Sequence, residues 1–93
     1  MRLIWSRIAQ NDVFDIADYY DAIDPELANR IVERLRQAPM PLLTNPELGP
    51  RIGERSEARK WHVPGTPFLL LYAVGENRID VQRVVHAASD WRP

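Results

Sequence analysis

The side chains best suited to proton transfer or anion binding lie in the last third of the chain. Lys60 and His62 are two residues apart in a stretch, Glu57 to Val63, that reads as a strand, so both point to one face. Arg83 sits inside a later apolar run, Arg78 to Val85, and His86 closes that run. An imidazole exchanges protons near neutral pH, and an ammonium or guanidinium beside it holds negative charge. Arg59 and Trp61 alternate onto the opposite face, and Trp91 follows near the end. These three offer contact surface to a partner. Plainer roles compete with each of these. His86 can hydrogen-bond the sheet end or pack on Trp91. Arg59 can pair at a sheet edge with Glu57 or a helix carboxylate, an interaction worth little. Arg83 alternates with Val81 and Val85, so it is expected on their face and not on that of Val84.

Other chemistries are excluded more firmly. The chain has no Cys, hence no disulfide and no thiolate metal ligand. Asp12, Asp15, Asp18 and Asp21 step by three around a helix with no His among them, which describes a solvated acidic face; no metal and no cofactor is expected. Gly49, Gly53, Gly65 and Gly75 are isolated turn glycines that build no phosphate-cradling loop. Ser89 and Asp90 neighbour His86 without forming a nucleophile elbow.

The elements that must position these groups are legible in order. Leu3, Ile4 and Trp5 make a short strand within Met1 to Ser6. Val13, Ile16, Ala17, Tyr20 and Ile23 mark the buried stripe of a first helix, with Ser6 as its candidate cap and Asp12 favourably placed near its positive end. Asp24-Pro25 ends it and starts a second helix, Asp24 as N-cap and Pro25 at the first turn. That helix carries the stripe Ala28, Ile31, Leu35, Ala38 and Leu42, and Glu26 precedes Arg30 at the favourable i,i+4 spacing. Pro39 and Pro41 stop the regular helix near Ala38 and predict a kinked turn through Leu43. Thr44 to Arg55 reads as the main loop. Three apolar runs follow, Glu57 to Val63, Phe68 to Val74 and Arg78 to Val85, broken at Pro64-Gly65-Thr66-Pro67 and Gly75-Glu76-Asn77. They predict a β-meander. Tyr72 is expected to bury its ring and keep its hydroxyl at the rim.

The sum is an α+β fold: an N-terminal strand, then an α-helical hairpin packed on one face of a small, mainly antiparallel sheet that ends in a three-strand meander. The edge strand at the N-terminus has no predicted direction. Ninety-three residues, 45% of them apolar, suffice for one domain over residues 1–93. The net charge of −1 argues against a protein built mainly to grip nucleic acid, and no sequence-specific contact with it is expected. No apolar run reaches the length of a membrane span or a signal peptide, so a cytoplasmic setting without membrane contact is expected.

In this order the chain resembles the RelE/ParE family of bacterial toxins. The resemblance covers nearly the whole sequence. It is carried by Asn45-Pro46-Glu47-Leu48-Gly49, by Val63-Pro-Gly-Thr-Pro-Phe68, by Leu71-Tyr72, and by Arg83-Val-Val-His86 followed by Asp90-Trp91. Trp5, Ile16-Ala17-Asp18-Tyr19-Tyr20 and Asp24-Pro25 agree with it. It implies a toxin silenced by a cognate antitoxin, ParD-like or similar, in a hetero-oligomer. The RelE-like branch of that family cleaves messenger RNA on the ribosome, with Lys and Arg on the middle strands. The ParE-like branch acts on DNA gyrase. Here Leu69 stands where the ribonuclease branch carries an Arg, Ala87-Ala88-Ser89 stands where basic residues would sit, and no Tyr follows Tyr72. The resemblance therefore implies a ParE-like gyrase inhibitor. The alternatives are a ribonuclease using Lys60, His62, Arg83 and His86, and an inert member that only binds its antitoxin. Arg59, Lys60, His62, Arg83, His86 and Trp91 are the candidates for target or antitoxin contact. The antitoxin is expected along an apolar groove or the sheet edge, with Leu42, Leu43, Leu48 and Ile52 as a candidate patch.

Overall fold

A computed structural model describes residues 1–92. In chain order the elements are β1 (Arg2–Trp5), α1 (Arg7–Asp21), α2 (Pro25–Gln37), α3 (Met40–Thr44), β2 (Arg59–His62), β3 (Phe68–Gly75) and β4 (Arg78–His86). Ser6 stays extended, and its Oγ accepts the Ala9 N–H at 3.0 Å, capping α1. Asp24 caps α2 through Glu26 N–H at 3.0 Å, with Pro25 in the first turn. Three expectations for the hairpin fail. Ile23 lies past the end of α1 and is exposed, because Asp24 is already extended for its capping role. Glu26 and Arg30 form no ion pair; among the described residues the ion pairs are Arg78–Asp80 and Arg83–Asp12. The predicted kink after Ala38 is a five-residue helix, α3, which places Leu42 in the core.

The sheet order is β1-β4-β3-β2. β1 runs parallel to β4, and the other pairs are antiparallel. Gly65 at φ 74° turns β2 into β3, and Thr66 Oγ1 bonds the Val63 carbonyl at 2.9 Å. Asn77 takes φ 53° between β3 and β4, a left-handed position that Asn tolerates. The helices cover one face, where Ala9, Ile31, Leu35, Leu42, Val63, Leu70, Tyr72, Ile79, Val81 and Val84 close the core.

One irregularity decides which residues share a face. Leu71 pairs with Arg83 but Tyr72 pairs with Val81, so Gln82 is an extra residue in β4. The bulge reverses the alternation. Arg83 therefore does not share the face of Val81, contrary to simple period-two counting. It lies with Val85 on the open face, while Val81 and Val84 face the helices.

Candidate functional site

Two surfaces are available. The first lies between the helices and β1. Val13, Ile16 and Tyr20 turn one side of α1 to the core. Phe14 falls about 100° further round the helix, off that stripe, and is left 68% exposed. With Trp5, Val13, Ala17, Val32 and Arg36 it lines a groove of about 460 Å³. Arg36 has no carboxylate partner among the described residues. Beside the groove runs the free side of β1. The bonds from Arg2 N–H to the Asn77 carbonyl and from Ser6 N–H to the Val81 carbonyl fix its even-numbered residues on β4. The backbone N–H and C=O of Leu3 consequently turn outwards. None of these groove residues was singled out as a candidate from sequence. The signal was a Phe at a helix position outside the buried stripe.

The second surface is the open face of the sheet. Register places Lys60 opposite Leu71, which is opposite Arg83, and His62 opposite Leu69, which is opposite Val85. Lys60, His62 and Arg83 thus share a face. His86 does not: it pairs with Phe68 on the helix side and meets that ring edge-on at 5.7 Å. Its Nδ1 accepts the Ala88 N–H at 3.1 Å. His62 Nε2 is bonded to the Thr66 carbonyl at 3.0 Å. Arg83 reaches round the strand edge to Asp12 at 2.9 Å, and that hydrogen bond together with the carboxylate charge raises its pKa. The same Asp12 accepts Val84 N–H at 2.9 Å. Asp12 therefore serves the sheet edge; it lies beyond the first turn of α1, where the dipole would have favoured it. Trp91 folds back over Lys60, with the ammonium 5.9 Å from its ring centroid.

Arg59 is on the helix-facing side with Trp61, and its partners differ from those expected. Among the described residues it pairs with no carboxylate. Its guanidinium donates to the carbonyls of Gly49 at 2.7 Å and Glu47 at 3.2 Å. The Tyr72 hydroxyl is covered by the loop it bonds: it donates to the Pro46 carbonyl at 2.8 Å and accepts Gly49 N–H at 2.9 Å. Burial pushes the phenol pKa up, against smaller lowering by Gly49 and Arg59. A side chain at Gly49 would run into the Lys60 carbonyl and come within 2.7 Å of the Tyr72 hydroxyl. Arg59 is thus committed to holding a loop. Of the suggested loop patch, Leu42 is fully buried and Leu43 packs on the core, while Leu48 is exposed. Among the described residues no group of three or more His, Asp or Glu could hold a metal ion.

The sequence matches the model of the ParE toxin of type II toxin-antitoxin systems, parDE, over residues 3–91. The chain belongs to the ParE toxin family. A chain from the chromosomal ParDE TA system of P. aeruginosa shares its structure at a TM-score of 0.81 and 28% identity, over 92% of this chain and 95% of the other. The YoeB/ParE toxin from Agrobacterium tumefaciens aligns at 0.62 and 17% identity, over 92% and 98%. A YafQ mutant from E. coli aligns at 0.56 and 20%, over 95% and 96%. The last two relate the fold alone. No curated protein matches the sequence. Together with the strand order and the helical hairpin on one sheet face, these likenesses establish the expected α+β ParE/RelE fold. No helix among the described residues is long and apolar enough to cross a membrane.

Proposed function

We propose that this ParE-family chain is the toxin of a type II module, that it acts by binding and inhibiting DNA gyrase, and that a cognate antitoxin silences it by filling the α1–α2 groove. The observation that carries this is the groove itself. Phe14 lies two-thirds exposed beside an apolar trough whose guanidinium, Arg36, has no carboxylate partner among the described residues. A large aromatic at the lip of a groove is the kind of residue that anchors an interface. The occupant that fits is an amphipathic helix with apolar side chains toward Trp5, Val13 and Val32 and a carboxylate toward Arg36. An extended segment before or after that helix can add to the free side of β1, which is continuous with the groove through Trp5.

A binding mode of action fits the other surface. Hydrolysis of a phosphodiester needs a base, an acid and cations converging on one phosphate. Here His86 is on the opposite side of the sheet from Lys60 and His62, and Arg83 is drawn off to Asp12. This spread supports inhibition by contact over cleavage. The test is a supercoiling assay with purified gyrase, relaxed plasmid, ATP and the toxin freed of its antitoxin. Loss of supercoiling or accumulation of cleaved plasmid is the expected result. Full supercoiling with a folded sample rejects gyrase as the target; a translation reaction examined for cleaved messenger then distinguishes a ribonuclease from an inert member.

A further inference from the structure

A smaller groove lies across α2 from the α1–α2 groove. Arg34 and Arg36 stand two apart, about 200° round the helix, so they serve opposite flanks. On the Arg34 flank, Gln37, Ala38, Pro41, Trp61 and Pro64 complete a trough of about 220 Å³ between the helices and the end of β2. Its parts are tied in place. The Trp61 indole N–H donates to the Ala38 carbonyl at 2.7 Å, which spans the gap from β2 to the end of α2. The Arg34 guanidinium donates to the Pro64 carbonyl at 3.3 Å and lies against Gly65, where a Cβ would come within 2.7 Å of it. Neither Arg34 nor Arg30, one turn earlier, has a carboxylate partner among the described residues. The sheet edge beside the trough is open at one point. The loop that finishes the β2 rim runs with it only as far as Lys60, whose N–H meets the Pro50 carbonyl at 3.0 Å; at Gly49 that loop turns in to bond Tyr72. Val63 N–H bonds the Phe68 carbonyl on the β3 side, so by alternation the His62 N–H and C=O turn outwards, past the end of the loop.

Three features at one corner narrow the occupant. The trough is smaller than the roughly 300–1,000 Å³ of small-molecule sites and suits a single apolar side chain. The Arg34 fork spends one N–H on Pro64 and presents the rest to a carboxylate, which it can hold through paired bonds. The His62 backbone needs an extended partner, because a helix has its own backbone groups paired and would leave that edge unmet. An extended chain supplies all three. Its alternate side chains share a face, so an apolar residue over the trough and a carboxylate two residues away both point to the helix side. We infer that this corner takes an extended acidic protein segment, whose backbone adds to β2 at His62, with one apolar side chain between Trp61 and Pro41 and a carboxylate on Arg34. The site lies on the far flank of α2 from the α1–α2 groove and does not depend on what occupies that groove.

The experiment is a titration of the ¹⁵N-labelled chain with a capped heptapeptide, Thr-Glu-Thr-Leu-Thr-Glu-Thr, followed at the His62 amide and at the three Trp indole N–H signals. A glutamate two residues to either side of the leucine serves a strand of either direction. The peptide should shift His62 and Trp61 and leave the indoles of Trp5 and Trp91 in place. Alanine for the leucine should weaken it at least fivefold, and glutamine for both glutamates at least threefold. Arg34→Met, which keeps an apolar stem, should weaken the parent peptide by the same factor as the glutamine exchange and should not weaken the glutamine peptide further. If Arg34→Met fails to fold, the glutamine peptide makes the same test on the parent chain. Methylating the peptide's backbone nitrogens at alternate residues should abolish binding in one phase and leave it within threefold in the other, since only one edge of an added strand meets β2. Phe14→Asp should leave the affinity unchanged, which separates this site from the one proposed for the antitoxin. No shift of His62 at millimolar peptide, equal binding of the glutamine peptide, equal effects of the two methylation phases, or loss of binding in Phe14→Asp would overturn the inference.

Discussion

At the β2 rim the chain finishes its own sheet, and at the β1 rim it does not. Beside β2, Arg51 bridges to Arg59, Lys60 N–H bonds the Pro50 carbonyl at 3.0 Å, and Ile52 N–H bonds the Ala58 carbonyl at 3.0 Å, so a loop plays the part of a fifth strand. Tyr72 and Arg59 pin that loop from inside. Beside β1, Leu3 keeps an outward-facing backbone, and Phe14 and Trp5 line an apolar trough. Backbone polar groups and apolar rings left in this way are what strand addition and helix docking satisfy. The contrast separates residues that hold the fold from residues that, under the proposed function, meet the antitoxin.

Substitutions should divide along the same line. The largest effect is expected at the closed rim. Gly49→Ala must move the Lys60 backbone or the buried phenol, and should cost about 3 kcal/mol in urea unfolding. At the open rim the stability change should be small and the binding change large. Phe14→Asp should weaken the cognate antitoxin about 100-fold by calorimetry, while its unfolding midpoint stays within about 0.5 kcal/mol of the parent. A large drop in stability there would show that Phe14 is part of the core and would erase the contrast. Tyr72→Phe should cost about 2 kcal/mol, because Gly49 N–H and the Pro46 carbonyl lose their buried partner. It should also change the alkaline limb. The Tyr72 pKa is raised on folding, so the stability it contributes is intact below the ordinary phenol value of 10.0 and is lost as pH rises above it through the folded-state pKa. The parent should therefore lose stability more steeply above that pH than Tyr72→Phe does. The smallest effects belong to the α1–β4 seam. Asp12→Ala should cost about 1 kcal/mol, since Val84 N–H loses its acceptor, while Arg83→Ala should cost under about 0.5 kcal/mol for a half-exposed pair. Equal losses would mean that the ion pair, and not the strand-edge hydrogen bond, is what matters.

The helices, their caps and the meander were legible because each is written locally. Asp24-Pro25 and Ser6 are capping signals, and the stripe from Ala28 to Leu42 is periodic. The bulge was written too, more faintly. Ile79 and Val81 are two apart, but Val84 is three further on, and that slip marks the point where β4 changes face. What was not legible is contact between distant segments. Arg59 was expected to find a carboxylate, yet it binds carbonyls of a loop whose path depends on Gly49 sitting against Lys60 and Tyr72. Asp12 looked like a favourable charge on a helix and turned out to finish a strand 71 to 72 residues further along the chain. The family was readable from short motifs scattered along the chain. The groove was not, because exposure of Phe14 depends on how the two helices meet β1.

The parallel pairing of β1 with β4 has a consequence for how the protein is made. β4 is an inner strand, with Arg2 opposite Arg78 and Trp5 opposite Val81. During synthesis β1 emerges first and its only strand partner emerges last. Until then the helical hairpin can form, but the sheet lacks the strand that joins its two halves. Non-local pairing of this kind is slow to form, and domains complete as units during synthesis. The α1–α2 groove and the open sheet face therefore reach their final form only when β4 has been made, close to the end of the chain.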